Sequence, residues 1–158
     1  MLSEDVEIIG STLRPLVHPI LLPFPIACLV GALLTDVTYW RTTEMMWADF
    51  SAWLVSAGVV LGIIVAVIFL FDLVTGRFAG RVAPVWPYAV GGLIALVLAV
   101  LNMLIHTRDA WTSVVPWGLA LSAATVLLLL VTLWAGWPLI FRREVNVVAR
   151  EIDVVVAP

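Results

Sequence analysis

Charged side chains fall in clusters along this chain and leave four stretches free of Asp, Glu, Lys and Arg: residues 15–35, 50–71, 82–107 and 110–141. Each meets the roughly 18–20 residues a helix needs to cross the ~30 Å hydrocarbon layer of a bilayer. Residues 54–71 carry no polar side chain beyond Ser56, so a helix there has no face to turn to water. Inside lipid the backbone must satisfy its own hydrogen bonds, which makes such segments helical. The pattern predicts four transmembrane helices at about 17–39, 50–74, 84–107 and 114–140. The expected fold is an all-α integral membrane protein, a four-helix transmembrane bundle over 15–141. A cytoplasmic segment, 1–14, precedes it and a cytoplasmic tail, 142–158, follows.

Composition agrees. The chain is 63% hydrophobic and 12% charged, against about a quarter charged in soluble domains. The leader "MLSEDVEIIGSTLR" is acidic and no small-residue cleavage site follows, so the first apolar run reads as a retained helix, not a signal peptide. Cys28 is the single cysteine, which excludes an internal disulfide. A net charge of −3 gives no case for nucleic acid.

Orientation follows from arginine. Four crossings put both termini and the 75–83 connection on one side, with Arg14, Arg77, Arg81, Arg142, Arg143 and Arg150; Arg41 and Arg108 fall on the other. That bias predicts a multi-pass protein of the bacterial inner membrane with both termini cytoplasmic. Trp40, Trp47, Trp53, Trp111 and Trp117 then mark the outer interface, and Trp86, Trp134 and Trp137 the inner one.

Alternating direction sorts the ionisable groups by end. His18, Asp72 and Tyr88 share the cytoplasmic end; Asp36, Asn102, His106 and Arg108 share the outer end. A carboxylate one turn inside a span is costly unless paired. An Asp36–Arg108 ion pair, with Asn102 or His106 donating, is the expected structural clamp. His106 itself, beside Arg108 and Asp109, reads as a solvated interfacial residue. His18 precedes Pro19, which suits a first helical turn, and Pro23 and Pro25 allow a kink. Unwound backbone at membrane depth is tolerated only against protein or a cavity. The first helix is therefore expected to begin inside the bundle, with His18 near Asp72 and Tyr88 as the candidate cofactor-binding group. His18 and His106 lie at opposite ends, on the order of 25–30 Å apart at 1.5 Å per residue, so one haem iron cannot take both. No motif has metal-ligand spacing, and no catalytic constellation is present.

The tail "EVNVVAREIDVVVAP" is rich in Val and Ile and reads as strand-like. A lone strand is not stable, so Val145, Val147, Arg150, Ile152 and Val154 are expected to dock on a partner's sheet edge.

"HPILLPFPI", then Asp36, "FLFDLV", Asn102 with Arg108, and "WAGWPLIFRREVNV" together resemble the bacterial membrane proteins grouped as domain of unknown function 2231, over about residues 15–148. The resemblance implies four helices in the inner membrane and a setting beside redox modules such as Rieske-type proteins and dehydrogenases. Members usually carry a histidine in an H-x-x-x-N pattern opening the third helix, and a histidine–glycine pair after the fourth. Here those positions read Tyr88 with Gly92, and Arg143 with Glu144. Of three family histidines only His18 remains, so a family cofactor site would be dismantled in this chain.

The expectation is a non-enzymatic membrane subunit with no resident cofactor or metal. It sits in the lipid bilayer, docks other protein subunits of a redox-type complex or further copies of itself, and helps shape a quinone pocket. A haem b or quinone electron-transfer protein is the alternative, and a small transporter the third reading.

Overall fold

The computed structural model describes residues 16–78, 85–107 and 114–141, the last without its side chain. Five helices follow one another: α1 (His18–Leu21), α2 (Pro23–Thr42), α3 (Met45–Val74), α4 (Val85–His106) and α5 (Trp117–Phe141). Helices α1 and α2 make one span, broken where Pro23 cannot donate to the preceding turn. Four spans are long and apolar enough to cross a membrane. Each of α2 and α4 packs against both α3 and α5, so the helices stand in cyclic order with α2 diagonal to α4.

One boundary departs from the sequence expectation. Helix α3 begins at Met45, five residues before the charge-free window, and is joined to α2 through Thr43 and Glu44 alone. Its 30 residues span ~45 Å at 1.5 Å per residue, longer than the hydrocarbon layer. Asp49 is exposed in that overhang, so its charge does not end the helix. Thr43 and Gly76, both at positive φ, close the C-termini of α2 and α3.

The core is small. Leu29, Ala32, Val55, Val59 and Ala99 pack at mid-bundle, and Tyr39, Ala48 and Val114 form a second cluster at one end. Glycine lets helices approach closely, as membrane bundles require when apolar burial gives little advantage over lipid. A Cβ at Gly136 would overlap the Tyr88 ring and one at Gly91 would overlap Thr132, so at both places a side chain of one helix lies directly on the glycine backbone of the other. The tryptophans Trp40, Trp53, Trp86, Trp117, Trp134 and Trp137 are exposed, on the surface that faces lipid. There is no strand among the described residues; the strand-like tail, with Val145, Val147, Arg150, Ile152 and Val154, lies outside them.

Candidate functional site

Two buried histidine–aspartate pairs cap the bundle, one at each end. At the first, α1 brings His18 against the last turns of α3. His18 and Asp72 are both 0% exposed. Asp72 Oδ2 accepts the backbone N–H of Val17 at 2.9 Å and of His18 at 3.1 Å, and lies 2.8 Å from His18 Nδ1. Three donors on one oxygen call for a carboxylate, and the Nδ1 that faces it carries a proton. Arg77 Nε stands 3.5 Å from Asp72 Oδ1, with its guanidinium over the Phe71 ring. The carboxylate thus fixes both the start of the first span and the plane of its imidazole. Phe69, Phe78 and Tyr88 surround that ring, with centroids 5.1, 5.8 and 5.7 Å away. The structure brings His18, Asp72 and Tyr88 together, as the alternating directions require.

Below the imidazole lies a cavity of about 370 Å³. Its walls are Leu22 between α1 and α2, Val65, Ala66 and Phe69 from α3, Leu93 and Leu96 from α4, and Leu129 and Leu133 from α5. His18, Tyr88 and Thr132 are its polar side chains. Leu70 and Leu93, both well exposed, form its rim, so it opens sideways between α3 and α4 toward lipid. Gly62 and Gly92 supply wall without side chain, and a Cβ at Gly92 would meet nothing within 4 Å. Position 92 thus has room for a side chain on the cavity wall. An apolar slot with a hydrogen-bonding end suits an elongated apolar molecule with a polar head.

At the second end Asp36, 0% exposed, is the hub. The Ser51 and Ser122 hydroxyls donate to its two oxygens, and His106 Nε2 lies 3.0 Å from Oδ1. Asn102 Nδ2 donates to Ser122 Oγ at 2.8 Å. Each of the four spans gives this cluster at least one side chain. His106 corrects the sequence expectation: it is only 8% exposed and inside the network. Helix α4 turns Ala95, Ala99, Asn102 and His106 inward at successive intervals of four, three and four, and that stripe carries His106 into the bundle despite its charged neighbours. Arg108, the expected partner of Asp36, lies outside the described residues. Ser51 and Ser122 were not foreseen. Ser56 and Thr125, by contrast, bond their own helix carbonyls.

No group of three or more His, Cys, Asp or Glu able to hold a metal occurs among the described residues. Comparison with curated proteins and with solved structures gives no match. Residues 14–149 match the family described as Predicted membrane protein (DUF2231). That span takes in both histidine–aspartate pairs and every described helix, and the chain belongs to this family of multi-pass membrane proteins.

Proposed function

We propose that this chain is a non-catalytic membrane subunit that holds a lipid-soluble quinone for a redox partner. The quinone head sits against His18 and Tyr88 and its tail runs along the cleft. The observation that carries the reading is the cavity between α3 and α4, bounded at one end by His18, which Asp72 holds in place, with exposed Leu70 and Leu93 among its lining. A quinone carbonyl accepts hydrogen bonds, and the hydroxyls of Tyr88 and Thr132 can donate them. The tail is apolar in lipid and in the cleft alike, so its transfer contributes little. Affinity rests on the head, where each hydrogen bond is worth about 0.5–1.5 kcal/mol. Haem fits less well. The aromatic rings packed around His18 crowd the space a macrocycle would need. The other histidine closes the far end of α4, 18 residues beyond Tyr88, or ~27 Å away.

Tyr88→Phe removes one donor and keeps the ring that packs against Gly136. Titrating the protein in nanodiscs with a short-chain quinone, followed by tryptophan fluorescence, is expected to show saturable binding. Tyr88→Phe should weaken that binding roughly 2- to 10-fold, one hydrogen bond's worth. Non-saturable quenching that is identical in both proteins means the quinone merely dissolves in the bilayer, and rejects the reading.

The redox partner is proposed to dock on the tail, at Val145, Val147, Arg150, Ile152 and Val154, on the cytoplasmic face of the inner membrane. Six of the eight arginines support that orientation. A reporter fused after Pro158 should be active only in its cytoplasmic form; periplasmic activity would reverse the topology and with it the side from which the partner comes.

A further inference from the structure

The Asp36 end makes a different demand, which appears when its hydrogens are counted. His106 Nδ1 lies 2.9 Å from the backbone oxygen of Asn102. A carbonyl only accepts, so Nδ1 carries a hydrogen. The opposite ring atom, Nε2, lies 3.0 Å from Asp36 Oδ1 and 3.1 Å from Ser51 Oγ. Ser51 Oγ is in turn in short contact with the same Oδ1. These three atoms form a triangle, and Ser51 brings one hydrogen to it. With a neutral imidazole and a bare carboxylate, that hydrogen can satisfy one edge. The other edges then set lone pair against lone pair.

One additional proton puts a hydrogen on both edges that meet at Oδ1. Placed on Nε2, it makes an imidazolium that donates to the carboxylate while Ser51 also donates to Oδ1. Placed on Oδ1, it makes a carboxylic acid that donates to Nε2, the same hydrogen bond with its proton at the other end, while Ser51 again donates to Oδ1. Either way the pair is electrically neutral, as a buried site in a membrane-spanning bundle favours. Ser122 anchors the other carboxylate oxygen and Asn102 anchors Ser122, which holds the carboxylate in place.

We infer that Asp36, Ser51 and His106 form a proton-binding site, which takes up one proton at the end of the bundle opposite the His18 cavity. The proton arrives from a hydronium ion, which leaves as water; an N–H or O–H bond forms and no electron moves. His106 is the last residue of α4, with exposed Thr107 beyond it, so the site loads from that end. Few other groups can supply the balancing charge. The elements packed around the site carry Tyr39 and Arg41 on α2, Glu44 in the connection and Asp49 on α3. Of these, Arg41, Glu44 and Asp49 are exposed, and the Tyr39 hydroxyl faces Met45. Helix α5 carries no titratable side chain over Trp117–Phe141. Arg108 and Asp109, outside the described residues, are the remaining charges nearby in sequence.

The chain has two histidines, which makes the test direct. The full-length protein, labelled with ring-¹⁵N histidine and reconstituted in bilayers, is measured by solid-state NMR at neutral pH, with His106→Asn to assign the signals. Two protonated nitrogens on His106 are the first expected result. The second is a bare Nε2 together with a carboxylic-acid stretch in the infrared that Asp36→Asn removes. If that variant does not fold, Asp36→Glu serves, since it shifts the same band. A bare ring nitrogen on His106 with no carboxylic-acid band assigned to Asp36 means that the pair holds no extra proton, and overturns the inference.

Discussion

Asp36→Ala is expected to destabilise the folded bundle by about 3–5 kcal/mol, the range for removing one partner of a deeply buried pair. The loss is large because the alanine strands three groups at once. Ser51, Ser122 and His106 all point at the missing carboxylate, and all three are buried. The direct Asp36–His106 coupling should be much smaller. Polar contacts between membrane helices average about 0.6 kcal/mol and rarely exceed ~1.7 in double-mutant cycles. The two quantities separate in one experiment. Reversible unfolding in mixed detergent of wild type, Asp36→Ala, His106→Ala and the double variant should give a double-variant cost below the sum of the singles by about 0.6–1.7 kcal/mol. Strict additivity would mean that the cluster does not act as a unit.

Asp72→Ala has the second largest expected effect, and it falls on stability and binding together. The carboxylate receives two backbone N–H groups and the imidazole on one oxygen. Losing it takes the acceptor from two buried donors of His18 and the part-buried N–H of Val17, at about 1–3 kcal/mol for each buried donor where the interior cannot relax. Fraying of the short α1 will relieve part of that, so about 3–5 kcal/mol is expected. The frayed turn releases His18 from the cavity wall, and quinone affinity should fall more than about 10-fold, beyond what one lost hydrogen bond explains. Asp72→Asn keeps an acceptor oxygen and should recover much of the stability. Unfolding curves and quinone titrations on the same samples check both parts; an unchanged affinity in Asp72→Ala would detach the pair from the cavity.

Much of this architecture is legible in the sequence, for identifiable reasons. The spans stand out because lipid forbids charge over a whole helix length, a signal that needs no packing information. Counting crossings suffices to put His18, Asp72 and Tyr88 at one end. The start of α3 is misjudged because Asp49 looks like a boundary, whereas a helix that overhangs the hydrocarbon layer tolerates an exposed carboxylate. His106 is misjudged because adjacent charges suggest water; the Ala95, Ala99, Asn102, His106 stripe was the better guide. Ser51 and Ser122 give no sequence signal of their own, since a helical serine usually bonds its own backbone, as Ser56 does. Only the depth they share with Asp36 on neighbouring spans marks them. The cavity is the least legible feature. It depends on which residues of the four spans line one space, and on how closely Gly91 and Gly136 let α4 and α5 approach.

The quinone site is the centre of this account, and its most direct test is what the protein carries out of its own membrane. Protein purified in mild detergent is extracted with organic solvent, and quinone and phospholipid are quantified per chain, for wild type and for Gly92→Leu. The substitution fills the cavity from a position where a side chain has room, so the bundle should still fold. The account predicts near-stoichiometric quinone with wild type and its loss from Gly92→Leu, which still unfolds in one cooperative transition. Phospholipid alone in the wild-type extract, or equal quinone in the two proteins, would contradict it.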